Sequence, residues 1–391
     1  MDQGLLGCGS PLFAFAGGGS GGHLYPALAV CDAIRSRLPD ARFVFFATNR
    51  PVDRKILEAH GKDFVAQELP AFSMMPWRWP GVMTAVRRAG QLCRERFDED
   101  PPALVLGSGG LACLPPVREA QRRGVPTAIL NPDAIPGRAN RFLAGSVSVV
   151  LVQWEETLVH LPGRASGEVT GCPIRPEFNG TDRLRGLERF QLNPERRTLL
   201  ITGASQGART VNTAAMANKD TIGAVPGWQV LHLTGEADYD MVRAGYKDAT
   251  FPVKVLSYTE FMADAIAAAD LVVSRAGAST LAEITAVGRA SILMPYPFHR
   301  DQHQMSNARC LVRQSAARLV RDQVEAEPNA AALGDALRAL MSDDPLRESM
   351  AAASRRMGRG NAAHAIAQRL LDLASRRVSG TPSTETVEAA C

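Results

Sequence analysis

A glycine-rich stretch near the start of the chain, FAGGGSGGHLYPALAV at 15–30, has the residue types needed to hold a phosphate group. Gly17, Gly19 and Gly22 satisfy the spacing G-x-G-x-x-G, and the stretch joins an apolar strand to an apolar helix. Glycines at such a turn let backbone N–H groups converge on an anion at the positive end of the helix. The spacing leaves two uses open, a dinucleotide cofactor or another phosphate-bearing ligand.

The residues that follow the next strand weaken the dinucleotide interpretation. A dinucleotide-binding fold has an acidic residue there, which binds the ribose hydroxyls. This chain has Thr48, Asn49 and Arg50 instead, and Arg50 could accept a 2′-phosphate. The dinucleotide interpretation is therefore weakened rather than eliminated.

His23 closes the glycine loop at the start of the helix, where an imidazole adds nothing to the binding of a cofactor pyrophosphate. The positive end of a helix favours the neutral imidazole, which suits a general base. We therefore expect His23 to act in catalysis or in substrate contact. The alternative is a histidine that only caps or packs the helix.

Two further glycine turns follow apolar runs later in the chain. TGASQGAR at 202–209 precedes a helical pattern and adds the hydroxyl of Ser205, so it predicts a phosphate or diphosphate site. The alternative for this turn is a tight connection that holds no ligand. The other turn, LGSGGLACLPP, occupies 106–116.

Short apolar runs alternate with helical patterns, which predicts parallel sheets covered by helices on both faces. The first half has predicted strands at 12–16, 42–47, 103–106, 126–130 and 147–152 and helices at 26–38, 51–60, 81–97, 115–123 and 136–144. The second half has predicted strands at 198–202, 229–233, 253–256, 270–274 and 290–294. We therefore expect an α/β protein with two Rossmann-like domains, whose ligands bind at the carboxyl ends of the strands.

The predicted junction between the domains is TGCPIRPEF at 170–178, where two prolines interrupt regular structure. We assign 1–172 to the first domain and 173–354 to the second. A helix at about 355–375 is expected to pack back on the first domain, and 376–391 is a polar tail that we expect to be disordered.

Composition narrows the class of protein. The 391 residues are 46% hydrophobic and 21% charged with a net charge of +4, which describes a globular protein and gives no sign of nucleic-acid binding. The seven cysteines are scattered without a C-x-x-C pair, so we expect a reducing cytoplasm, no disulfide framework and no metal site. The absence of a signal peptide and of a long apolar run predicts a soluble or peripheral protein.

The stretch 71–97 combines apolar and interfacial aromatic side chains with arginines, as does a face that rests on an anionic membrane. The predicted membrane patch consists of Met74, Met75, Trp77, Trp79, Arg87 and Arg88. The alternative is an amphipathic core helix with a solvated basic face.

The chain resembles the MurG family of N-acetylglucosaminyltransferases in an ordered set of motifs between about residue 12 and residue 320. The motifs are GGGSGGHLYPALAV, LGSGGLACLPPVREAQRRGVPTAIL, NPDAIPGRANRFLA, GASQGARTVN and ADLVVSRAGASTLAEITAVGRASILMPYPFHRDQHQMSNA. Each motif is modest alone, whereas the ordered set is highly specific.

The resemblance implies the GT-B fold and an inverting transferase that needs neither a metal nor a cofactor. Such an enzyme moves N-acetylglucosamine from UDP-N-acetylglucosamine (UDP-GlcNAc) to the 4-hydroxyl of N-acetylmuramoyl-pentapeptide on undecaprenyl diphosphate. This is the step from lipid I to lipid II in peptidoglycan biosynthesis. The resemblance further implies a place on the cytoplasmic face of the cell membrane, with other cell-wall synthesis proteins as partners.

The resemblance also implies roles for residues on the donor side. Glu283 matches the residue that binds the ribose hydroxyls of UDP, and Arg175 matches an arginine near the diphosphate. Tyr258 and Thr259 match the loop that flanks the uracil. The complete implied donor set is Ser20, Gly21, Gly22, Arg175, Ser205, Gln206, Gly207, Tyr258, Thr259, Thr280, Glu283, His303, Gln304 and Asn307, of which His303 and Gln304 meet the donor sugar.

On the acceptor side the resemblance makes His23 the candidate base for the reacting hydroxyl. The implied acceptor diphosphate loops contain Gly18, Gly19, Gly109 and Gly110. The family has a histidine and a glutamate just before the position of Asp133, where this chain has Leu130, Asn131 and Pro132. Asp133 is therefore the second catalytic candidate, in place of the missing carboxylate.

Three alternatives stay open at this point. One is another GT-B lipid glycosyltransferase, such as a diacylglycerol glycosyltransferase. Another is an NADP-dependent oxidoreductase, and the last is a non-catalytic homologue that binds a nucleotide sugar.

Overall fold

The computed structural model of the chain describes residues 10–19, 21–70, 79–203, 207–298 and 302–379. These residues form two parallel sheets, one in each half of the chain, and helices connect the strands. The arrangement confirms the predicted α/β class with two parallel sheets.

The first sheet has seven strands in the order β3-β2-β1-β4-β5-β6-β7, and every neighbouring pair is parallel. Its strands are β1 (Leu12–Gly17), β2 (Arg42–Thr48), β3 (Phe64–Gln67), β4 (Leu104–Gly109), β5 (Thr127–Asn131), β6 (Val149–Val152) and β7 (Gly167–Val169). β1 is buried along its whole length because its side chains alternate between two apolar layers: Phe13 and Phe15 face one layer, Ala14 and Ala16 the other.

The second sheet has six strands in the order β10-β9-β8-β11-β12-β13, again with parallel neighbours. Its strands are β8 (Arg197–Thr202), β9 (Trp228–Leu233), β10 (Val253–Leu256), β11 (Leu271–Ser274), β12 (Ala290–Leu293) and β13 (Ala317–Leu319). In both sheets the strand order reverses beside the first strand, at β1 and β8. Ligands of parallel sheets bind at such positions.

The helices of the first half are α1 (Gly21–Arg37), α2 (Pro51–Ala59), α3 (Trp79–Glu99), α4 (Leu114–Arg122) and α5 (Arg138–Ala144). Those of the second half are α6 (Arg183–Arg189), α7 (Arg209–Ala217), α8 (Lys219–Gly223), α9 (Tyr239–Gly245), α10 (Met262–Ala268), α11 (Ala278–Val287), α12 (His303–Arg313), α13 (Ala326–Ser342), α14 (Asp344–Met357) and α15 (Ala362–Ser379).

Sequence reasoning missed three short strands, β3, β7 and β13. All three lie at sheet edges, and most of their residues are only partly buried or exposed. An edge strand needs no continuous apolar run, which was the signal used for the other strands. Those other predicted strands are all present.

The last helix, α15, packs on the first sheet rather than on the second. Its Ile366 and Leu370 belong to the same buried cluster as Phe13 and Phe15 of β1. The predicted boundaries at 172 and 354 remain predictions. The helix extends to Ser379, and the rest of the predicted tail lies outside the described residues.

Candidate functional site

Two glycine turns of the first domain lie back to back at the carboxyl ends of β1 and β4. A Cβ on Gly110 would lie 2.9 Å from the carbonyl oxygen of Gly18, and one on Gly109 would lie 2.9 Å from the imidazole of His23. Gly19, Gly109 and Gly110 also have positive φ angles, which L side chains rarely adopt. The sequence therefore needs glycine here so that the two turns and His23 can approach one another.

The imidazole of His23 has a defined tautomer. Its Nδ1 lies 2.9 Å from the carbonyl oxygen of Gly18, and since a carbonyl only accepts, Nδ1 must carry the proton. The lone pair of the neutral ring is then on Nε2, the atom that lies against Gly109. The structure thus brings together His23 and the four glycines predicted for the acceptor loops.

Asp53, which sequence reasoning missed, supports this first loop from beneath. The residue is fully buried in the first turn of α2. Its carboxylate accepts hydrogen bonds from the N–H of Gly19 at 2.8 and 2.9 Å and from the N–H of Thr48 at 3.1 Å. The N–H of Gly19 is therefore already engaged, and an anion at this loop would bind other groups.

A sequence signal for Asp53 did exist. Asp53 follows the end of β2 by five residues and is an acidic residue in the first turn of α2, which begins with Pro51. The dinucleotide-binding pattern expects an acid immediately after the strand. The structure shows that the acid reaches back from the following helix.

The glycine turn of the second domain follows β8, and its Gly207 is packed just as closely against a neighbouring backbone. A Cβ on Gly207 would lie 2.3 Å from the carbonyl oxygen of Thr234, so no side chain fits there. Of the residues predicted at this turn, Ser205 and Gln206 lie outside the described residues, as does Ser20 of the first loop. Gly21 and Gly22 form the start of α1, beside His23.

A buried hydrogen-bond chain fixes the Thr234 carbonyl against which Gly207 packs. Asn212 of α7 donates to that carbonyl at 2.9 Å and accepts from Nε2 of His232 at 3.0 Å. Nδ1 of His232 lies 3.2 Å from the hydroxyl of Tyr246. Burial lowers the pKa of His232 to about 3, so the ring stays neutral.

Arg275 is a second buried support of this turn that sequence reasoning missed. Its guanidinium donates to the Asp322 carboxylate at 2.7 Å, to the Met294 carbonyl at 2.9 Å and to the Thr210 hydroxyl at 2.7 Å. Thr210 lies in the first turn of α7, directly after the glycine turn. The arginine therefore ties the ends of β11 and β12 to the start of α7.

Glu283 lies on α11 and is close to Arg175. Burial raises the pKa of Glu283 to about 7; the Arg175 guanidinium opposes this shift and the Glu177 carboxylate adds to it. Nη1 of Arg175 is 2.9 Å from the Glu177 carboxylate. The predicted ribose and diphosphate residues are thus neighbours, and Thr280 lies one turn before Glu283 on the same helix.

Tyr25 of α1 contributes an aromatic ring from the first domain that sequence reasoning missed. Its pKa is raised by burial and by the nearby Tyr258, and is lowered by Arg175. Tyr258, predicted beside the uracil, is exposed, and the Thr259 hydroxyl accepts a hydrogen bond from the N–H of Phe261 at 3.1 Å. The predicted uracil loop therefore faces α1 of the other domain.

The first turns of α12 contain His303, Gln304 and Asn307. Gln304 and Asn307 have different hydrogen-bond partners. The amide oxygen of Gln304 accepts from the N–H of Ala276 at 3.2 Å and from that of Tyr296 at 2.9 Å. Asn307 is fully buried and donates to the carboxylate of Asp133 at 2.8 Å. The structure thus joins a predicted donor residue to a predicted catalytic residue of the other domain.

The predicted membrane patch is described in part. On α3, Trp79 and Met83 are about half exposed, and Arg87 and Arg88 are exposed beside them. Met74, Met75 and Trp77 lie outside the described residues. Within the described ranges, no helix has both the length and the apolar composition needed to cross a membrane.

Two family models match the chain, one for each domain. The N-terminal domain of glycosyltransferase family 28 matches residues 13–152, and the C-terminal domain of that family matches residues 198–370.

Curated relatives match most of the chain. The chain is 36% identical over 373 residues to a protein of Desulforudis audaxviator, covering 92% of this chain and 98% of that protein. It is 33% identical over 362 residues to a protein of Bacillus licheniformis, covering 92% and 97%. Both are named UDP-N-acetylglucosamine–N-acetylmuramyl-(pentapeptide) pyrophosphoryl-undecaprenol N-acetylglucosamine transferase.

Among solved structures, MurG of Acinetobacter baumannii superimposes with a TM-score of 0.76 at 22% identity, covering 93% of this chain and 99% of that one. A UDP-GlcNAc 2-epimerase of Neisseria meningitidis superimposes with a TM-score of 0.61 at 13% identity, covering 93% and 100%. At such identities the likeness concerns the fold alone.

We predict that Asp53→Asn lowers the free energy of unfolding by about 1–3 kcal/mol, because an amide NH2 would face N–H donors that now bind a carboxylate. Chemical denaturation measures this change. The matched control is Asp63→Asn, whose side chain is 70% exposed and whose loss should leave stability nearly unchanged. Equal stability of the two variants would contradict a supporting role for Asp53.

Proposed function

This chain belongs to glycosyltransferase family 28, and on that premise we propose that it transfers N-acetylglucosamine from UDP-GlcNAc to the 4-hydroxyl of N-acetylmuramoyl-pentapeptide-diphospho-undecaprenol. The membership confirms the family predicted from the ordered motifs, and the superposition on MurG confirms the predicted fold class. The chain is then a hexosyltransferase of peptidoglycan biosynthesis that converts lipid I to lipid II.

The observation that carries the proposal is the fixed tautomer of His23. With its proton on Nδ1 and bonded to Gly18, the ring presents Nε2 as the atom that accepts a proton. In the proposed reaction Nε2 removes the proton of the acceptor 4-hydroxyl. The oxygen attacks C1 of the donor sugar with inversion, and the bond from C1 to the diphosphate oxygen breaks to release UDP.

The negative charge that develops on the leaving UDP needs stabilisation. The turn after β8 precedes α7, so the positive end of that helix and the N–H of Gly207 are suited to a diphosphate. Arg175 adds a positive charge beside Glu283. We propose that these groups act without a metal ion, as the resemblance implies; the D-x-D sequences at 98–100 and 238–240 lie outside the glycine turns, and Asp238 is paired with Arg209 and Asn212.

The remaining donor contacts follow the implied roles. The Glu283 carboxylate binds the ribose hydroxyls and Tyr258 flanks the uracil, with Tyr25 of α1 close to Tyr258. Ser20, Gly21, Gly22, Ser205, Gln206, Thr259, Thr280, His303 and Gln304 complete the proposed donor contacts. Asn307 is fully buried and belongs to the proposed donor site as a support of α12 rather than as a direct contact. The turns with Gly18, Gly19, Gly109 and Gly110 bind the acceptor diphosphate through N–H groups other than that of Gly19.

The proposed function is tested by transfer of labelled N-acetylglucosamine from UDP-GlcNAc to a short-chain lipid I analogue, with and without EDTA. Transfer to this acceptor supports the proposal, and full loss of transfer in EDTA would contradict the metal-free part. Transfer to diacylglycerol instead would favour the other lipid glycosyltransferase. Binding of UDP-GlcNAc with no turnover on either acceptor would favour a non-catalytic homologue.

We further propose that the exposed end of α3 rests on the cytoplasmic face of the membrane that holds the lipid acceptor. The half-exposed Trp79 and Met83 beside Arg87 and Arg88 suit an anionic bilayer surface, since apolar side chains enter the interface while arginines meet lipid phosphates. Interaction with other cell-wall synthesis proteins remains a prediction from the resemblance.

We predict that His23→Ala lowers kcat about 10²- to 10⁴-fold, because the hydroxyl would lose its general base. The Kd for UDP-GlcNAc should change by no more than about twofold, since the nucleotide is proposed to bind mainly to the other domain. Steady-state kinetics and calorimetry measure the two quantities. His364→Ala, on the exposed face of α15, is the control. Turnover of His23→Ala at the unmodified rate would remove this residue as the base.

We predict that UDP-GlcNAc binds about tenfold more weakly at pH 6 than at pH 8, because Glu283 has a pKa of about 7 and must be ionised to accept two ribose hydroxyls. The weakening appears as pH falls through 7, where the carboxyl group gains its proton. Glu283→Gln should bind weakly at every pH. Glu177→Gln should move the midpoint to lower pH, since Glu177 raises the pKa of Glu283. Retention of the pH dependence in Glu283→Gln would assign it to another group.

We predict that the double variant Trp79→Ser/Met83→Ser binds anionic phospholipid vesicles about tenfold or more weakly, because two apolar anchors are lost. Vesicle sedimentation measures binding, and transfer to a short-chain acceptor should be retained. The control is Leu184→Ser, which removes an exposed apolar side chain from α6 of the second domain. Unchanged sedimentation of the double variant would refute the membrane patch.

A further inference from the structure

One contact between the domains contains a buried amide, that of Asn307 in α12. Its amide nitrogen donates to the Asp133 carboxylate at 2.8 Å and to the Ala276 carbonyl at 3.2 Å. Its amide oxygen accepts from the N–H of Ala134 at 2.8 Å. Asn307 has no solvent exposure, so these partners replace water for both ends of its amide.

An apolar cluster surrounds this amide and also spans both domains. From the first domain, Ala134 and Trp154 enter a buried cluster with residues of the second domain. The members from the second domain include Ala276, Leu281, Leu293, Ala308 and Leu311. Beside the cluster, the side-chain amide of Gln153 donates to the carbonyl of Ala278 at 3.4 Å. The contact is therefore packed, and a buried hydrogen bond inside it is costly to lose.

The backbone of Asp133 is held in place as well as its side chain. Its carbonyl accepts from the side-chain amide of Asn131 at 2.7 Å and from the hydroxyl of Thr157 at 3.3 Å. Its carboxylate is therefore directed at Asn307 from a fixed backbone. β5, which precedes Asp133, is separated from β1 by β4. Neighbouring strands lie about 4.8 Å apart, so the strand ends that lead to Asp133 and His23 are about 10 Å apart.

The amide of Asn307 is linked to the predicted donor-sugar residues through Ala276. Asn307 binds the carbonyl of Ala276, and Gln304, one turn earlier on α12, binds its N–H. Gln304 also accepts from the N–H of Tyr296. A displacement of Asn307 would therefore move Ala276 and the turn of α12 that holds Gln304.

We propose that Asp133 and Asn307 form a clamp between the domains, which sets the position of the donor-sugar residues of α12 relative to His23. Asp133 is then a positioning residue that acts through Asn307, and not a carboxylate that takes part in proton transfer. This inference rests on the proposed function only for the assignment of the α12 residues, such as Gln304, to the donor sugar. The clamp itself rests on the contacts described above.

The two roles of Asp133 are separated by Asp133→Asn. An asparagine keeps Oδ1, the oxygen that accepts from Asn307, but it cannot serve as an acid or base. The clamp predicts that Asp133→Asn keeps kcat and the KM for UDP-GlcNAc within about threefold. A loss of kcat of about 100-fold or more, with unchanged UDP affinity, would show that the carboxylate itself takes part and would overturn the proposal.

Loss of the hydrogen bond between Asn307 and Asp133 is tested with Asn307→Ala and Asp133→Ala. Each should lower kcat/KM for UDP-GlcNAc about 10- to 100-fold, because donor and base lose their mutual position. The double variant should be no worse than the poorer single variant, since both remove the same contact. Additive losses, or single variants with normal kinetics, would overturn the proposal.

The matched control is Asn218→Ala. Asn218 is another buried asparagine, whose amide donates to the carbonyls of Ala214 and Ala330 within the second domain. This variant should lose stability but keep donor kinetics. A loss of kcat/KM equal to that of Asn307→Ala would assign the effect to general destabilisation and would contradict the clamp.

A readout that needs no turnover separates failure of the clamp from failure of the proposed function. Hydrogen–deuterium exchange at the N–H of Ala134 should accelerate in Asn307→Ala and stay slow in Asp133→Asn and in Asn218→Ala, because only the first loses the acceptor. If the unmodified chain does not transfer N-acetylglucosamine to the lipid acceptor, the proposed function fails. The exchange rates then still test whether the clamp exists. Unchanged exchange in Asn307→Ala would overturn it.

Discussion

Every strand in both sheets runs parallel to its neighbours, so all strand carboxyl ends of a sheet fall on one edge. The turns that follow the strands are therefore forced together there, and helices that begin after them point their N-termini the same way. In the first domain this edge holds the turns after β1, β4 and β5, and in the second those after β8, β11 and β12. The candidate site exists because these edges gather groups that are far apart in the chain.

Such crowding requires both small residues and buried support. Glycine at positions 109, 110 and 207 lets backbones approach within distances that a Cβ would block. The turns are then held by buried polar groups: Asp53 under the first loop, and Arg275 with Asp322 under the second. Burial raises the pKa of Asp322, but hydrogen bonds from Thr210 and Arg275 outweigh this effect and lower it. A charge can stay buried only when it is paired and hydrogen-bonded in this way.

The two edges meet through a contact that combines apolar packing with hydrogen bonds. Trp154 and Ala134 supply apolar packing, and Asn307 supplies the hydrogen bonds that fix direction. An apolar contact alone tolerates sliding, whereas a buried amide is satisfied in one arrangement only. This combination relates α1, with His23 and Tyr25, to α11 and α12, with Glu283 and Gln304. A reaction between ligands of two domains needs such a fixed relation.

The sequence by itself determined the parallel sheets, because buried strands such as β1 and β8 read as continuous apolar runs, and its ordered motifs determined the family. It also singled out His23 and Glu283, whose motifs are local. The tertiary structure alone decided what these residues contact. Asp53 bonds to a glycine 34 positions away, and Asn307 to an aspartate 174 positions away. Local pattern marks Asp53 as an acid in the first turn of a helix, but it does not indicate the partner in either pair, since only the stacking of strands and domains brings these atoms within bonding distance.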